Sequence, residues 1–355
     1  MIGKPNFKSV TEYGFNFPTK LIFIILFITI IFYIFACSIG SVYISPFTLL
    51  KISLNQLPGF AYDANWPISH ETILLDLRLP RVTLAAIVGA GLASSGTIYQ
   101  GLFKNPLADP YLIGAASGAA LGATIIITLP MIDQINPNVL PVTAFIGAML
   151  AVFISYYIAR NSIGLNLATL ILSGVAISTL FGAITTLLMI KSNPDVRPVL
   201  SWLMGSFISS QWIHCIITAC YVMPCILIAI AYSKILNVMQ LHDNHAKTLG
   251  VDLEKVKLVL IITATITTAA CVSFVGLVGF VGLICPHAVR LMWSKDYRVL
   301  IPTAAIIGSA FLILSDTAAR TVFGNTELPI GIITAFCGVP FFIFLLVRQR
   351  WGIND

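Results

Sequence analysis

The chain has 355 residues, of which 58% are hydrophobic and 10% charged, with a net charge of +6. A soluble domain carries about 25% charged residues, so this composition excludes a water-soluble protein. Ten spans of about 20 residues each would leave only turns and short surface elements, with no room for a sizeable soluble domain.

The first apolar run, Leu21 to Gly40, follows a polar lead containing Lys4, Lys8 and Lys20. That lead is too long for a secretory signal, so the run reads as an uncleaved first helix. Nine further runs follow at about Val82–Phe103, Leu112–Leu129, Val139–Ala159, Leu167–Ile190, Trp212–Leu236, Leu258–Gly276, Val278–Trp293, Leu300–Ala319 and Ile330–Val347. The boundary at Gly276-Leu-Val-Gly279 is the weakest of them. Ala85, Gly89 and Ala93, and again Gly114, Gly118 and Gly122, stand four residues apart and predict close backbone packing between membrane helices. With the N-terminus inside, 14 of the 20 basic residues fall on the inner side and six on the outer. The positive-inside rule expects that asymmetry, so the net charge records topology rather than nucleic-acid binding. The expectation is one all-α transmembrane domain over residues 1–355, with residues 1–19 and both termini cytoplasmic.

Two connections exceed a turn. Residues 41–77 lie outside. Residues 237–257 lie inside and mix charge with apolar residues at helical spacing, with Gly250 placed to cap a short helix. Periodicity leaves open whether this inner segment is a pair of surface helices facing a protein partner or a solvated loop.

The seven cysteines lie mostly in apolar runs without a C-x-x-C pair, and read as small hydrophobes rather than a disulfide or metal framework. No G-x-x-x-x-G-K-[ST] occurs, so ATP is not bound through a P-loop. His70-Glu71 is not followed by a second histidine, and the five histidines are scattered, so no metal site and no catalytic residue is assigned. Asp316 is the only acidic residue well inside a span, while Asp109 sits in the turn Asn105-Pro-Leu-Ala-Asp109-Pro, where it can cap the next helix. Ion-coupled carriers bury more carboxylates than this. A path lined by small, apolar and hydroxyl groups suits a wrapped substrate such as a metal chelate, moved by an external engine.

Leu77-Arg78-Leu79-Pro80-Arg81 leads into Gln100-Gly-Leu-Phe-Lys-Asn-Pro-Leu-Ala-Asp109-Pro and Leu112-Ile-Gly-Ala-Ala-Ser-Gly-Ala119. Leu172-Ser-Gly-Val-Ala176, Trp202-Leu-Met-Gly-Ser206 and Gly279-Phe-Val-Gly-Leu-Ile-Cys-Pro-His287 follow. Ser315-Asp-Thr-Ala-Ala-Arg320, Glu327-Leu-Pro-Ile-Gly-Ile-Ile-Thr-Ala335 and Gly338-Val-Pro-Phe-Phe342 close the series. In order and spacing these resemble the FecCD/BtuC-type permease family, over roughly Arg78 to Arg350. The resemblance implies a BtuC-like type II ABC importer permease of ten helices, without enzymatic activity or cofactor of its own. ATP and Mg would be bound by two separate cytoplasmic ATPase subunits. It further implies a dimer with itself or a paralogue, an extracytoplasmic substrate-binding protein, and residence in the bacterial inner membrane. A ferric siderophore leads as cargo, with haem and cobalamin next. The alternatives from other classes are an ion-coupled secondary carrier and an intramembrane enzyme.

By the same resemblance, Arg78, Arg81 and Arg320 would receive acidic residues of the binding protein, a task that suits the guanidinium fork. Snorkelling or helix capping is the competing reading for them. Leu241, Ala246, Leu249, Gly250 and Val251 would couple to the ATPase, although His242, Asp243, Asn244 and His245 depart from the family pattern there. Leu172, Ser173, Gly174, Ile333 and Thr334 would line the path.

Overall fold

Backbone polar groups in lipid must be satisfied internally, and this apolar chain does so almost entirely with helices. The computed structural model describes residues 18–56, 58, 66–128, 138–161, 164–191, 196–241, 252–322 and 326–350. In chain order the helices are α1 (Thr19–Ser38), α2 (Pro46–Asn55), α3 (Ile68–Leu102), α4 (Ala115–Thr128), α5 (Val139–Ala159), α6 (Leu167–Lys191), α7 (Arg197–Leu203), α8 (Trp212–Ala231), α9 (Ser233–Met239), α10 (Leu253–Val275), α11 (Val281–Met292), α12 (Tyr297–Thr321) and α13 (Ile330–Arg350). A two-residue antiparallel hairpin, β1 (Arg160–Asn161) and β2 (Gly164–Leu165), pairs Arg160 with Leu165.

Among the described residues α1, α3, α5, α6, α8, α10 and α12 are long and apolar enough to cross a membrane, and α4, α11 and α13 are apolar but shorter there. Together these ten match the ten runs of the sequence. Most ends shift by a few residues, and two boundaries differ by more than that. The second helix begins at Ile68 rather than Val82, because Pro67 precedes a helical start and a π-turn over Ile73–Arg78 carries it into the span. The sixth run divides at Tyr232 into α8 and α9.

Helix α3 is the centre, packed against α8, α10, α11 and α12 and buried at every residue from Gly91 to Leu102. Its small residues permit this. A Cβ on Gly89 would lie 2.2 Å from the Gly308 carbonyl oxygen, so α3 and α12 meet backbone to backbone. Gly118 and Gly147 do the same for α4 and α5, a Cβ on Gly118 falling 2.1 Å from the Gly147 carbonyl oxygen. Gly114 is not part of that stripe. It precedes α4 at φ +96° and closes the 310 turn Pro110–Ile113, which Asp109 caps by accepting from the Tyr111 N–H at 2.8 Å. Hydroxyls tie α3 to α10, with Ser95 Oγ 2.7 Å from Thr268 Oγ1 and Tyr99 OH 3.0 Å from Thr265 Oγ1.

The break between α10 and α11 lies within the bundle. Gly96 packs on Gly282 at the start of α11, six residues or about 9 Å of helix before the end of α3. Irregular backbone at such depth is tolerated only where protein covers it or a cavity opens beside it. Both hold here. Ser206 N–H donates to Val275 O at 2.8 Å, and the Tyr111 hydroxyl accepts from the Val278 N–H and donates to its carbonyl. Gly276 at φ +74° and Phe280 at φ +68° make the bend.

Candidate functional site

Three features bear on function: an ion-paired cluster at the end predicted to face outward, a cavity at the α10–α11 break, and the frame around the inner connection.

Arg78 and Arg81 are three residues apart on α3, and Asp316 and Arg320 are four apart on α12, so each pair shares a helix face. The glycine contact between α3 and α12 brings the faces together. Arg81 Nε lies 3.0 and 3.1 Å from the two Asp316 oxygens and its Nη2 2.9 Å from Oδ1. Its other nitrogen, Nη1, donates to Glu327 at 2.9 and 3.2 Å. Arg320 Nε stands 3.3 Å from Asp316 Oδ2, and the Asp316 side chain is only 2% exposed.

The other guanidinium donors face inward. Arg78 donates to the carbonyls of Cys37, Ser38 and Val42, at 2.9 and 3.1 Å for the first two. Arg320 donates to those of Ala36 at 2.6 Å and Ile39 at 3.3 Å. Most of these carbonyls belong to the last turn of α1, which has no further helix to bond them and carries the negative end of the helix dipole. Arg78 and Arg320 therefore cap α1, and Arg81 alone keeps a nitrogen on a half-exposed partner. Nothing in the sequence identified those carbonyls as their acceptors.

Beside the α10–α11 break an open apolar cavity of about 650 Å³ is lined by Leu203, Met204, Leu277, Gly279, Phe280 and the Gly331–Pro340 face of α13. The Phe280 ring packs over Gly338. The first N–H groups of α13 donate across the mouth, Ile330 to Gly205 O at 3.1 Å and Gly331 to Met204 O at 2.9 Å. Of the expected path residues, Ile333 and Thr334 flank this face, and Thr334 is fully buried with its hydroxyl on Gly331 O. Leu172 is exposed, whereas Ser173 donates to Ser155 O and Gly174 packs on Ile113. Helix α6 packs on α4 and α5, and α13 on α11 and α12, so these two sets of residues sit on different flanks. Leu277, Gly279 and Phe280 went unassigned from sequence, although the ill-defined boundary at Gly276 marked the place.

At the end predicted to face inward, Leu241 is described and exposed, and Lys104 Nζ donates to its carbonyl at 3.0 Å. Ala246, Leu249, Gly250 and Val251 lie outside the described residues. The flanks of this connection are anchored. Asn237 donates to Asp296 at 2.7 Å and accepts from the Tyr297 N–H at 2.9 Å, and Glu254 accepts from the Leu165 N–H at 2.8 Å.

Asp296 caps α12 through the Arg298 N–H and takes a fork from the Arg298 side chain. Burial alone would raise its carboxyl, but the donors from Arg298 and Asn237 outweigh it and hold the group below its ordinary value. A depressed folded value contributes stability that is present above the ordinary value of about 3.9 and lost as pH falls through the folded one. Asp296→Ala is expected to cost about 1–2 kcal/mol at neutral pH, the range of a lost N-cap. Thermal unfolding in detergent would show the gap to the wild type narrowing in acid, and a gap independent of pH would contradict this role.

Residues 27–348 match the family model of the FecCD transport family. The cobalamin import system permease protein BtuC of Halobacterium salinarum is 46% identical over 80% of this chain and 75% of its own length. The hemin transport system permease protein HmuU of Yersinia pestis is 38% identical over 94% of this chain and 97% of its own length. Other relatives are named for import of ferric citrate and ferric hydroxamate. A solved structure described as an inward-facing conformation of a candidate metal-chelate type ABC transporter superposes with a TM-score of 0.80, at 29% identity over 93% of this chain and 99% of that one. The match over nearly the whole length, together with the ten apolar helices, shows that the chain is a multi-pass membrane protein of the FecCD transport family.

Proposed function

We propose that the chain is the permease subunit of an ATP-driven importer that carries a metal chelate into the cytoplasm. Two copies, or one copy and a paralogue, enclose the path, with an ATPase pair below and an acidic substrate-binding protein above. The observation that carries this reading is the family match from residue 27 to 348, which takes in both the outer cluster and the cavity. The apolar cavity suits a ligand whose metal is already wrapped, since bare charge at that depth is costly. Its position on the α13 flank, away from α6, is consistent with a path completed by a second subunit.

Relatives at 46% and 38% identity are named for cobalamin and hemin import, both macrocyclic chelates. That similarity moves a macrocycle ahead of the ferric siderophore as cargo. The outer cluster supports docking of acidic residues, with Arg81 as the direct contact and Arg78 and Arg320 supplying positive field while they hold α1. Leu241 and the segment after it are proposed to seat on the ATPase, with both termini on that side.

Cells carrying the complete transport system would be given radiolabelled cobalamin, haemin and a ferric hydroxamate. Saturable uptake of one macrocycle, lost on deletion of this chain, is expected. Uptake of the hydroxamate alone would overturn the cargo assignment, and undiminished uptake of every label after deletion would overturn the transport role.

A further inference from the structure

We propose that Glu327 is an internal stand-in for the acidic side chain of the docking protein, and that docking proceeds by exchange of carboxylates on Arg81 Nη1. The proposal rests on the reading that the outer cluster receives an acidic binding protein, and it names the residue that this protein must displace.

The two edges of the Arg81 guanidinium are not equivalent. Nε and Nη2 hold Asp316, whose side chain is 2% exposed and which also faces Arg320. That carboxylate cannot leave without stranding buried charge. Nη1 holds Glu327, whose side chain is 39% exposed against 2% for Asp316, so water can take up the Glu327 carboxylate when it leaves, and the pair is closer to the weak surface kind. An incoming carboxylate can therefore replace Glu327 and nothing else. Arg78 and Arg320 offer no equivalent edge, because their donors hold the carbonyls of residues 36 to 42. Three arginines against Asp316 and Glu327 leave the cluster at +1, and displacement of Glu327 leaves the arginines facing Asp316 alone. Exchange thus neutralises the newcomer with the charge that Glu327 gives up.

Glu327 also lies two residues before Pro329 and three before α13. Leu328 N–H donates to Ala319 O at 3.0 Å, and the next N–H groups, those of Ile330 and Gly331, reach the carbonyls at the cavity mouth. Release of Glu327 removes the side-chain tether on this connector and leaves these backbone bonds to hold it.

The test uses the full chain in lipid nanodiscs and a fluorescent hexaglutamate peptide as the acidic probe, read by anisotropy at low salt. Glu327→Gln is expected to tighten probe binding by about 1.5- to 5-fold, the range for releasing one weak competing ion pair. Asp76→Asn, which removes an exposed acidic charge elsewhere on α3, is expected to change it much less. Adding Arg81→Gln to Glu327→Gln is expected to abolish the gain. Should that double variant not fold, Arg81→Lys keeps a charge for Asp316 but lacks the second nitrogen, and serves in its place. Equal tightening by Glu327→Gln and Asp76→Asn, or a gain that survives loss of Arg81, would overturn the exchange. Binding that weakens with Arg81→Gln but ignores Glu327→Gln overturns the exchange and leaves docking standing. Binding indifferent to Arg81 overturns the docking reading itself.

Discussion

Asp316→Ala is expected to lower stability by about 3–5 kcal/mol, the cost of breaking a buried ion pair by removing one partner. Asp316 is the counter-charge for two guanidiniums at once, bonded to Arg81 through three contacts and 3.3 Å from Arg320. Its loss leaves both cations at the junction of α3 and α12 with Glu327 as the remaining carboxylate beside Arg81. The damage extends beyond that junction, because Arg320 also holds the Ala36 and Ile39 carbonyls at the end of α1. Asp316→Asn keeps an acceptor of the same size and is expected to lose less. Adding Arg81→Met to Asp316→Ala is expected to recover part of the loss, since an apolar pair avoids the desolvation that the ion pair had to overcome. Thermal unfolding in detergent and the yield of monodisperse protein would read all three. A melting temperature unchanged in Asp316→Ala would show that the pair contributes nothing to the fold.

Gly308→Val is the second large effect. A Cβ on Gly308 would lie 2.3 Å from the Gly89 carbonyl oxygen and 2.6 Å from the Ala93 Cβ. Backbone cannot swing aside as a long side chain can, so α3 and α12 must separate. Overpacking in a dense core commonly costs about 1–3 kcal/mol and occasionally more, and a contact that forces two backbones apart belongs at the upper end. Because the same helices carry Arg81 and Asp316, separation also lengthens that ion pair. Gly182→Ala is the matched control, since nothing lies within 4 Å of a Cβ there. In a helix it is expected to be neutral or to stabilise by up to about 1 kcal/mol. Equal losses for the two variants would contradict the account of α3 and α12 as a backbone contact.

The ten spans were legible in the sequence because lipid imposes a length and an apolar composition that a one-dimensional pattern can carry. Val139–Ala159 was read to the residue, and the other helices shifted at their ends or, like α3, at a helical entry disguised as a loop. The small-residue stripes were legible for the same reason, although Gly114 proved to serve a turn rather than a helix face. Helix capping by Arg78 and Arg320 was raised only as the competing reading, and which helix they cap was not legible. That depends on which carbonyls are left unbonded when α1 ends beside α3 and α12, and no spacing along the chain encodes it. The cavity at Leu277, Gly279 and Phe280 escaped for a related reason, since a helix break inside the bundle reads in sequence only as an ill-defined boundary. Resemblance singled out this end of α12 and α3 for docking, and within it the structure separates two arginines that cap α1 from Arg81, whose Nη1 is held by the half-exposed Glu327.

This chain is expected to move a chelate only as part of an ATP-driven assembly. Uptake would be measured in proteoliposomes that contain the purified chain, with its ATPase inside and its binding protein outside. The labelled chelate is expected to accumulate only with ATP in the lumen, and accumulation to cease when either partner is omitted. Accumulation driven by an ion gradient through this chain alone, without ATP or partners, would contradict that expectation.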